Sequence, residues 1–223
     1  RGDEFIEIVA WHLEQACGLS REVARSPIEP PIQRAADALA KAASRAERRE
    51  SLREAHRYYT RALDLLDDEH ADLRVTLRVQ HADMSMQLGE LKEATDELLE
   101  VAEQAAELGR TEVEAEALLL LGDIDQRQGR PTDAHRRLLR AEELAGSTDD
   151  ARLRTRAAFV MNSFVVDYLG EDLDQPIENL RAAIATAEAL GDHALAAEGH
   201  LRIAAILNNQ GELEAASRSC AAA

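Results

Sequence analysis

The stretch "ALLLLGDIDQRQGRPTDA", residues 117–134, is compatible with two folds. As a strand, it would bury its leucines and carry Asp123 or Asp125 to its tip, as the Mg²⁺-binding strand of an ATPase does. As a helix, it would run through Leu118 to Leu121 and stop at Gly129, where glycine can take the positive φ that closes a helix. The rest of the chain decides between them.

Gly89, Gly129, Gly170 and Gly211 are spaced 40, 41 and 41 residues apart. Seven residues before each stands a small residue: Ala82, Gly122, Ser163 and Ala204. Five residues after three of them stands alanine, at Ala94, Ala134 and Ala216, and seven further on come Val101, Ala141 and Ala223. The third copy needs a one-residue shift, which puts Pro176 and Ala183 in these slots. A fainter copy lies upstream, where Ala55, Tyr59 and Ala62 take the slots of Ala94, Leu98 and Val101. Self-similarity at this period marks stacked supersecondary units. Each unit reads as a helical hairpin, with the glycine closing the first helix and a polar run opening the second. Breaks between hairpins fall near Gly109, Gly146–Ser147 and Gly191–Asp192. Small residues recur because two helices must approach closely there.

Residues 117–129 are therefore expected to be helical. Leu118 and Leu121, at i and i+3, are the packing positions, and Gly122 is the helix-contact residue. Asp123 and Asp125 are expected as exposed helix charges. A nucleotide site would also need a phosphate loop of the type GxxxxGK[ST], and the chain contains none.

Composition agrees. Of 223 residues, 45% are hydrophobic but only 3% aromatic, so the apolar mass comes from Leu, Ala, Val and Ile. No segment alternates in the manner of a strand, and the chain reads as all-α. The net charge is −17. Residues 1–66 hold 11 basic and 11 acidic side chains, so the remainder carries the whole excess. Such a surface repels phosphate backbones and anionic lipid, which argues against nucleic acid or membrane as a partner. Two distant cysteines, Cys17 and Cys220, form no framework and point to a reducing, cytoplasmic setting. The chain starts at Arg1 and ends inside an apparent helix, so a longer parent protein is expected.

The spacing small-x6-Gly-x4-Ala-x6-Ala resembles the skeleton of the tetratricopeptide repeat (TPR). The resemblance implies a right-handed superhelical solenoid of antiparallel hairpins, five over residues 31–223, the last truncated. The period of 40–41 exceeds the usual 34 or so, so each hairpin should be longer by about one turn per helix. The pattern's tryptophan is absent, as is proline at most repeat ends. Upstream, in "EFIEIVAWHLEQACGL", Phe5, Ile8, Val9, His12, Leu13 and Ala16 follow helical spacing. This segment is expected to cap the array, with Trp11 covering its open end. Pro27, Pro30 and Pro31 then mark a linker, so that residues 1–30 stand apart from the repeats. The phrase "AWHLEQA", followed by "AADALAKAASRA" and then hairpins, resembles the carboxy-terminal part of bacterial STAND-type signalling ATPases. In these multidomain proteins a cyclase or DNA-binding domain, an NTPase and a helical-repeat sensor share one chain. The resemblance implies a regulatory sensor here, with ATP binding and any output chemistry upstream.

No catalytic or metal constellation emerges. The seven histidines show no HExxH or HxxxH spacing, Cys17 and His12 make no credible nucleophile pair, and no cofactor is expected. Function should lie on the groove lined by first helices. Counting one, four and five residues from each small residue gives Asp83, Met86 and Gln87; Asp123, Gln126 and Arg127; Phe164, Asp167 and Tyr168; and Ala205, Asn208 and Asn209. Amides can satisfy the N–H and C=O groups of an extended backbone together, and the aromatic pair offers an anchor pocket. A Lys/Asn clamp for a terminal carboxylate is disfavoured, because Val79, Leu119, Val160 and Leu201 occupy the matching positions. The expected partner is a neutral or basic protein or peptide, or a small ligand. Two other readings stand beside this one: a free-standing adaptor for a peptide or partner helix, and an enzyme using Asp123, Asp167 and Tyr168.

Overall fold

A computed structural model describes residues 5–22, 31–168, 174–209 and 211–222. Among these residues there are eleven α-helices and no strand: α1 (Ile6–Glu22), α2 (Ile32–Glu47), α3 (Leu52–Leu65), α4 (Ala71–Gln87), α5 (Leu91–Glu107), α6 (Thr111–Arg127), α7 (Pro131–Gly146), α8 (Ala151–Tyr168), α9 (Asp174–Ala189), α10 (His193–Asn209) and α11 (Leu213–Ala222). A short 3₁₀ turn, Asp68–His70, leads into α4. The contacts divide the chain into two compact units, Arg1–Val113 and Glu114–Ala223. Pro27, Pro30, Gly170 and Ala223 lie outside the described residues.

The helices pair as the repeat requires. In unit 1, α2 packs on α3 and α4 on α5; in unit 2, α8 packs on α9 and α10 on α11. Between α6 and α7, a Cβ built on Gly122 would come within 2.5 Å of the Leu138 side chain, so only glycine fits without displacing it. Gly129 turns this hairpin at φ +69°. Its N–H donates to Gln126 O at 3.0 Å and the Arg130 N–H to Asp125 O at 2.8 Å, the paired bonds of a Schellman motif. Gly89 does the same at φ +88°. The stretch from Ala117 is thus a helix, a turn and the start of its partner.

In the first hairpin the equivalent slot is filled by Glu50 at φ +58°, and the Ser51 N–H donates to Ala46 O at 2.9 Å. The hairpin keeps the turn without the glycine that advertised it elsewhere. The second helices repeat a single core position nine or ten residues after the turn. Tyr59, Leu98, Leu138 and Leu180 occupy it, all at most 2% exposed. Burying each leucine contributes about 2 kcal/mol. The slots Ala55, Ala94 and Ala134 are also fully buried, which lets neighbouring helices approach closely.

Three expectations need correction. Trp11 is not a covering core residue among the described residues: it is 51% exposed, and Phe5 at 57%, Ile8 at 55% and Leu19 at 62% are exposed with it. The seam of α1 is instead Ile6, Ala10, Leu13 and Cys17, packed on the core of α2 and α3. Its buried members, Ala10 and Cys17, are small enough for α1 to close onto the alanine-rich α2. Asp125 is not an exposed charge but 1% exposed. Its carboxylate accepts from Arg130 Nε at 2.8 Å and pairs with Arg137 at 2.7 Å, which fixes the turn to α7. Finally, Leu119 and Leu120 are buried along with Leu121. The helix is enclosed on more than the single stripe that i, i+3 spacing predicted.

Candidate partner-binding face

In unit 2 the first helices α6, α8 and α10 carry most of the expected residues. The Tyr168 hydroxyl donates to Gln126 O at 3.2 Å, which ties α8 to α6. The Tyr168 ring is 42% exposed and stacks on Phe164 with centroids 5.0 Å apart. Phe164 in turn stacks on His135 at 5.3 Å. Arg202 on α10 donates to Ser163 O at 3.1 Å and pairs with the Asp167 carboxylate, which ties α10 to α8. Asp123 pairs with Arg127 one turn along α6, at 2.8 Å. Asn208 is exposed; nothing of Asn209's side chain falls within the described residues.

Phe164 is 1% exposed and therefore a core residue. Of the aromatic pair only Tyr168 reaches the surface, and the buried Phe164 backs it. In unit 1, Met86 is likewise buried at 5%, while the Gln87 amide donates to Asp83 at 3.1 Å on the surface of α4. The position one turn and a fraction beyond the small residue, held by Gln87, Arg127 and Tyr168, is exposed in all three helices. The two nearer positions are not uniformly so, because α8 leans its Phe164 into the core.

Counting forward from the small residues missed Arg202, Glu198 and Arg156, which lie on preceding turns. Glu198 reaches the surface, yet its carboxyl is crowded. Desolvation pushes its pKa up, the charge of Asp123 adds to this, and Arg156 and Arg202 oppose it. The acids of this face are thus largely answered by arginines. Ser163 Oγ and Arg202 Nε are buried without a hydrogen-bond partner among the described residues. No group of three His, Cys, Asp or Glu side chains among the described residues could hold a metal. No described helix is long and apolar enough to cross a membrane.

Unit 1 holds a different polar centre. His56 and His81 stack with ring centroids 4.2 Å apart. His56 Nε2 lies 3.1 Å from Ser85 Oγ, and His81 Nδ1 lies 2.7 Å from Glu97 Oε2. Arg78 Nε donates to the other Glu97 oxygen at 3.1 Å. Burial holds His56 below its ordinary pKa, and the neighbouring His81 adds to this. Burial alone would raise Glu97, but His81 and Arg78 outweigh it and hold its carboxyl below the usual range.

Comparison with known proteins places the fold. The chain is similar to aspartyl phosphate phosphatase F from Bacillus subtilis, with 13% identity, a TM-score of 0.64, and coverage of 86% of this chain and 59% of that one. It is similar to a Rap protein complexed with competence and sporulation factor, at 16% identity and TM-score 0.64, covering 86% of this chain and 63% of that one. It is also similar to the TPR-like repeats of a Podosopora anserina kinesin-light-chain-type protein, at 16% identity and TM-score 0.59, covering 87% and 95%. The chain thus spans under two thirds of the first two structures. No family model matches the sequence, and no curated protein does. At these identities the likeness establishes the fold: a TPR-like array of helical hairpins.

Proposed function

We propose that this chain is a non-catalytic, cytoplasmic interaction module that holds an extended peptide or protein segment on the α6, α8 and α10 face of unit 2. The observation that carries this reading is Tyr168. Its ring is exposed, stacked on a buried aromatic and anchored through its hydroxyl to α6. A rigid amphipathic ring of this kind loses little entropy on binding and is typical of interface anchors. Exposed Arg127 and Asn208 supply polar groups for a neutral backbone. The acids nearby are already paired, so a strongly basic partner gains less here than composition suggested. One similar structure is a Rap protein complexed with a factor, which agrees with a binding role for this fold.

The finer reading makes the module the sensor of a bacterial STAND-type signalling ATPase. Its support is the "AWHLEQA" phrase and the order of segments after it. On that reading residues 1–30 close an upstream region and the repeats pass ligand binding to the NTPase. The alternative is a free-standing adaptor. Reading the codons upstream of Arg1 separates them: an in-frame NTPase supports the sensor, and a start codon with nothing before it rules it out.

The binding face is tested by selecting short random peptides against the full chain and measuring their affinity for Tyr168→Ala. The expected loss exceeds about 1 kcal/mol, with the unfolding midpoint nearly unchanged. Equal affinity for both proteins moves the site off this face.

A further inference from the structure

The structure assigns a second binding site, of opposite sign, to unit 1: a cleft between α1, α2 and α4 that fits an extended acidic peptide with apolar residues at alternate positions. The cleft has a volume of about 490 Å³, within the usual range for a ligand site. One wall is the polar edge of α2, with Lys41, Arg45 and Arg48 against a single acid, Asp37. The floor is apolar, made by Ile6, Leu73 and Leu77.

Two observations point to an acidic occupant. Lys41 and Arg48 are exposed and form no ion pair among the described residues, whereas Arg45 is braced from α1 by Glu7 at 3.2 Å. The excess charge of −17 lies wholly beyond residue 66, so a cationic cleft built largely on the balanced first part contrasts with the rest of the surface. An acidic segment repelled by the rest of the surface is focused there. The cations of α2 could merely complement the helix dipole near its carboxyl end, but that leaves the apolar floor beside them unexplained.

The spacing favours a peptide over a free anion. Lys41 and Arg48, the two cations without an ion pair among the described residues, are separated by about 10 Å of helix rise. Alternate residues of an extended chain are about 6.7 Å apart and point the same way. Acidic side chains on one face of such a peptide recur about every 6.7 Å, so the long side chains of Lys41 and Arg48 can each reach one. The intervening side chains then face Leu73 and Leu77 on α4. A small anion engages a single cation and leaves the floor bare. This site does not depend on the unit 2 face.

The test is fluorescence anisotropy on the full chain with a labelled peptide of alternating glutamate and leucine. The peptide should bind, and binding should weaken as salt rises. Lys41→Glu with Arg48→Glu should lower affinity by ~10-fold or more, whereas Arg53→Glu, the same charge change on α3 outside the cleft, should leave it within about twofold. Leu73→Ser should weaken the glutamate–leucine peptide but not a glutamate–glycine one. Circular dichroism checks that each variant is folded; Lys41→Gln with Arg48→Gln gives an intermediate loss without charge reversal. The site is overturned if the double reversal binds as wild type does, if citrate competes as well as the peptide, or if a lysine–leucine peptide binds more tightly.

Discussion

In unit 1, Ser85 stands four residues before the hairpin glycine, and Glu97 eight residues after it. In unit 2 the same two slots hold Asp125 and Arg137. The acid and its partner have exchanged helices. Glu97 draws His81 and Arg78 from the preceding helix, and Ser85 is left to His56 of α3. Asp125 draws Arg137 from the following helix and Arg130 from the turn. One repeat skeleton therefore accepts either polarity, provided that the buried carboxylate finds its cations nearby. The choice has a consequence: the unit 1 seam holds a histidine, His56, that burial keeps below its ordinary pKa.

Breaking the unit 2 seam should give the largest effect. Asp125→Ala leaves Arg137 facing a buried, uncompensated site and should cost about 3 kcal/mol in urea unfolding. Ser85→Ala, the same slot in unit 1, loses one hydrogen bond and should cost about 1 kcal/mol. Equal costs would mean that the two seams are not built differently.

The turn offers a smaller contrast. Glu50 holds the left-handed conformation that Gly89 and Gly129 supply elsewhere. Glu50→Gly removes that strain and should raise stability by up to about 1 kcal/mol, net of glycine's greater freedom when unfolded. A lower thermal midpoint would show that the Glu50 side chain contributes something the turn geometry does not.

The histidine seam predicts a pH response. His56 has a folded pKa below its ordinary 6.5, so the unfolded chain binds more protons as pH falls. The stability it contributes is complete above about pH 6.5 and declines on acidification. Glu97, also lowered, adds a further loss below the ordinary carboxyl range. The groups around His56 are His81, Glu90 and Glu97, with Arg78 behind Glu97. His56→Gln should flatten the fall in unfolding midpoint between about pH 8 and pH 5. An unchanged slope would place the titration elsewhere.

The hairpins were legible because glycine, alanine and leucine recur wherever backbone or packing leaves no choice. Gly129 and Ala134 announce a turn and a close approach from their spacing alone. Glu50 was not legible, since a residue that tolerates a conformation at some cost looks like any other surface charge. Asp125 was misread for a related reason: its burial depends on two arginines, five and twelve residues away, that only the folded hairpin brings together. On the proposed face, counting from the small residue reaches Tyr168 and Arg127, both exposed in the structure. It could not reveal that Phe164 turns inward, nor that Arg202, two residues before Ala204, supplies the link between α8 and α10.

The central claim is that the first-helix face of unit 2 receives an extended segment around Tyr168. The most direct measurement is an amide NMR titration of the full chain with a peptide selected for binding. Shifts concentrated on the last turns of α6, α8 and α10, centred on Tyr168 and Arg127, are the predicted result. Shifts confined to α7, α9 and α11, with Tyr168 unmoved, would contradict it.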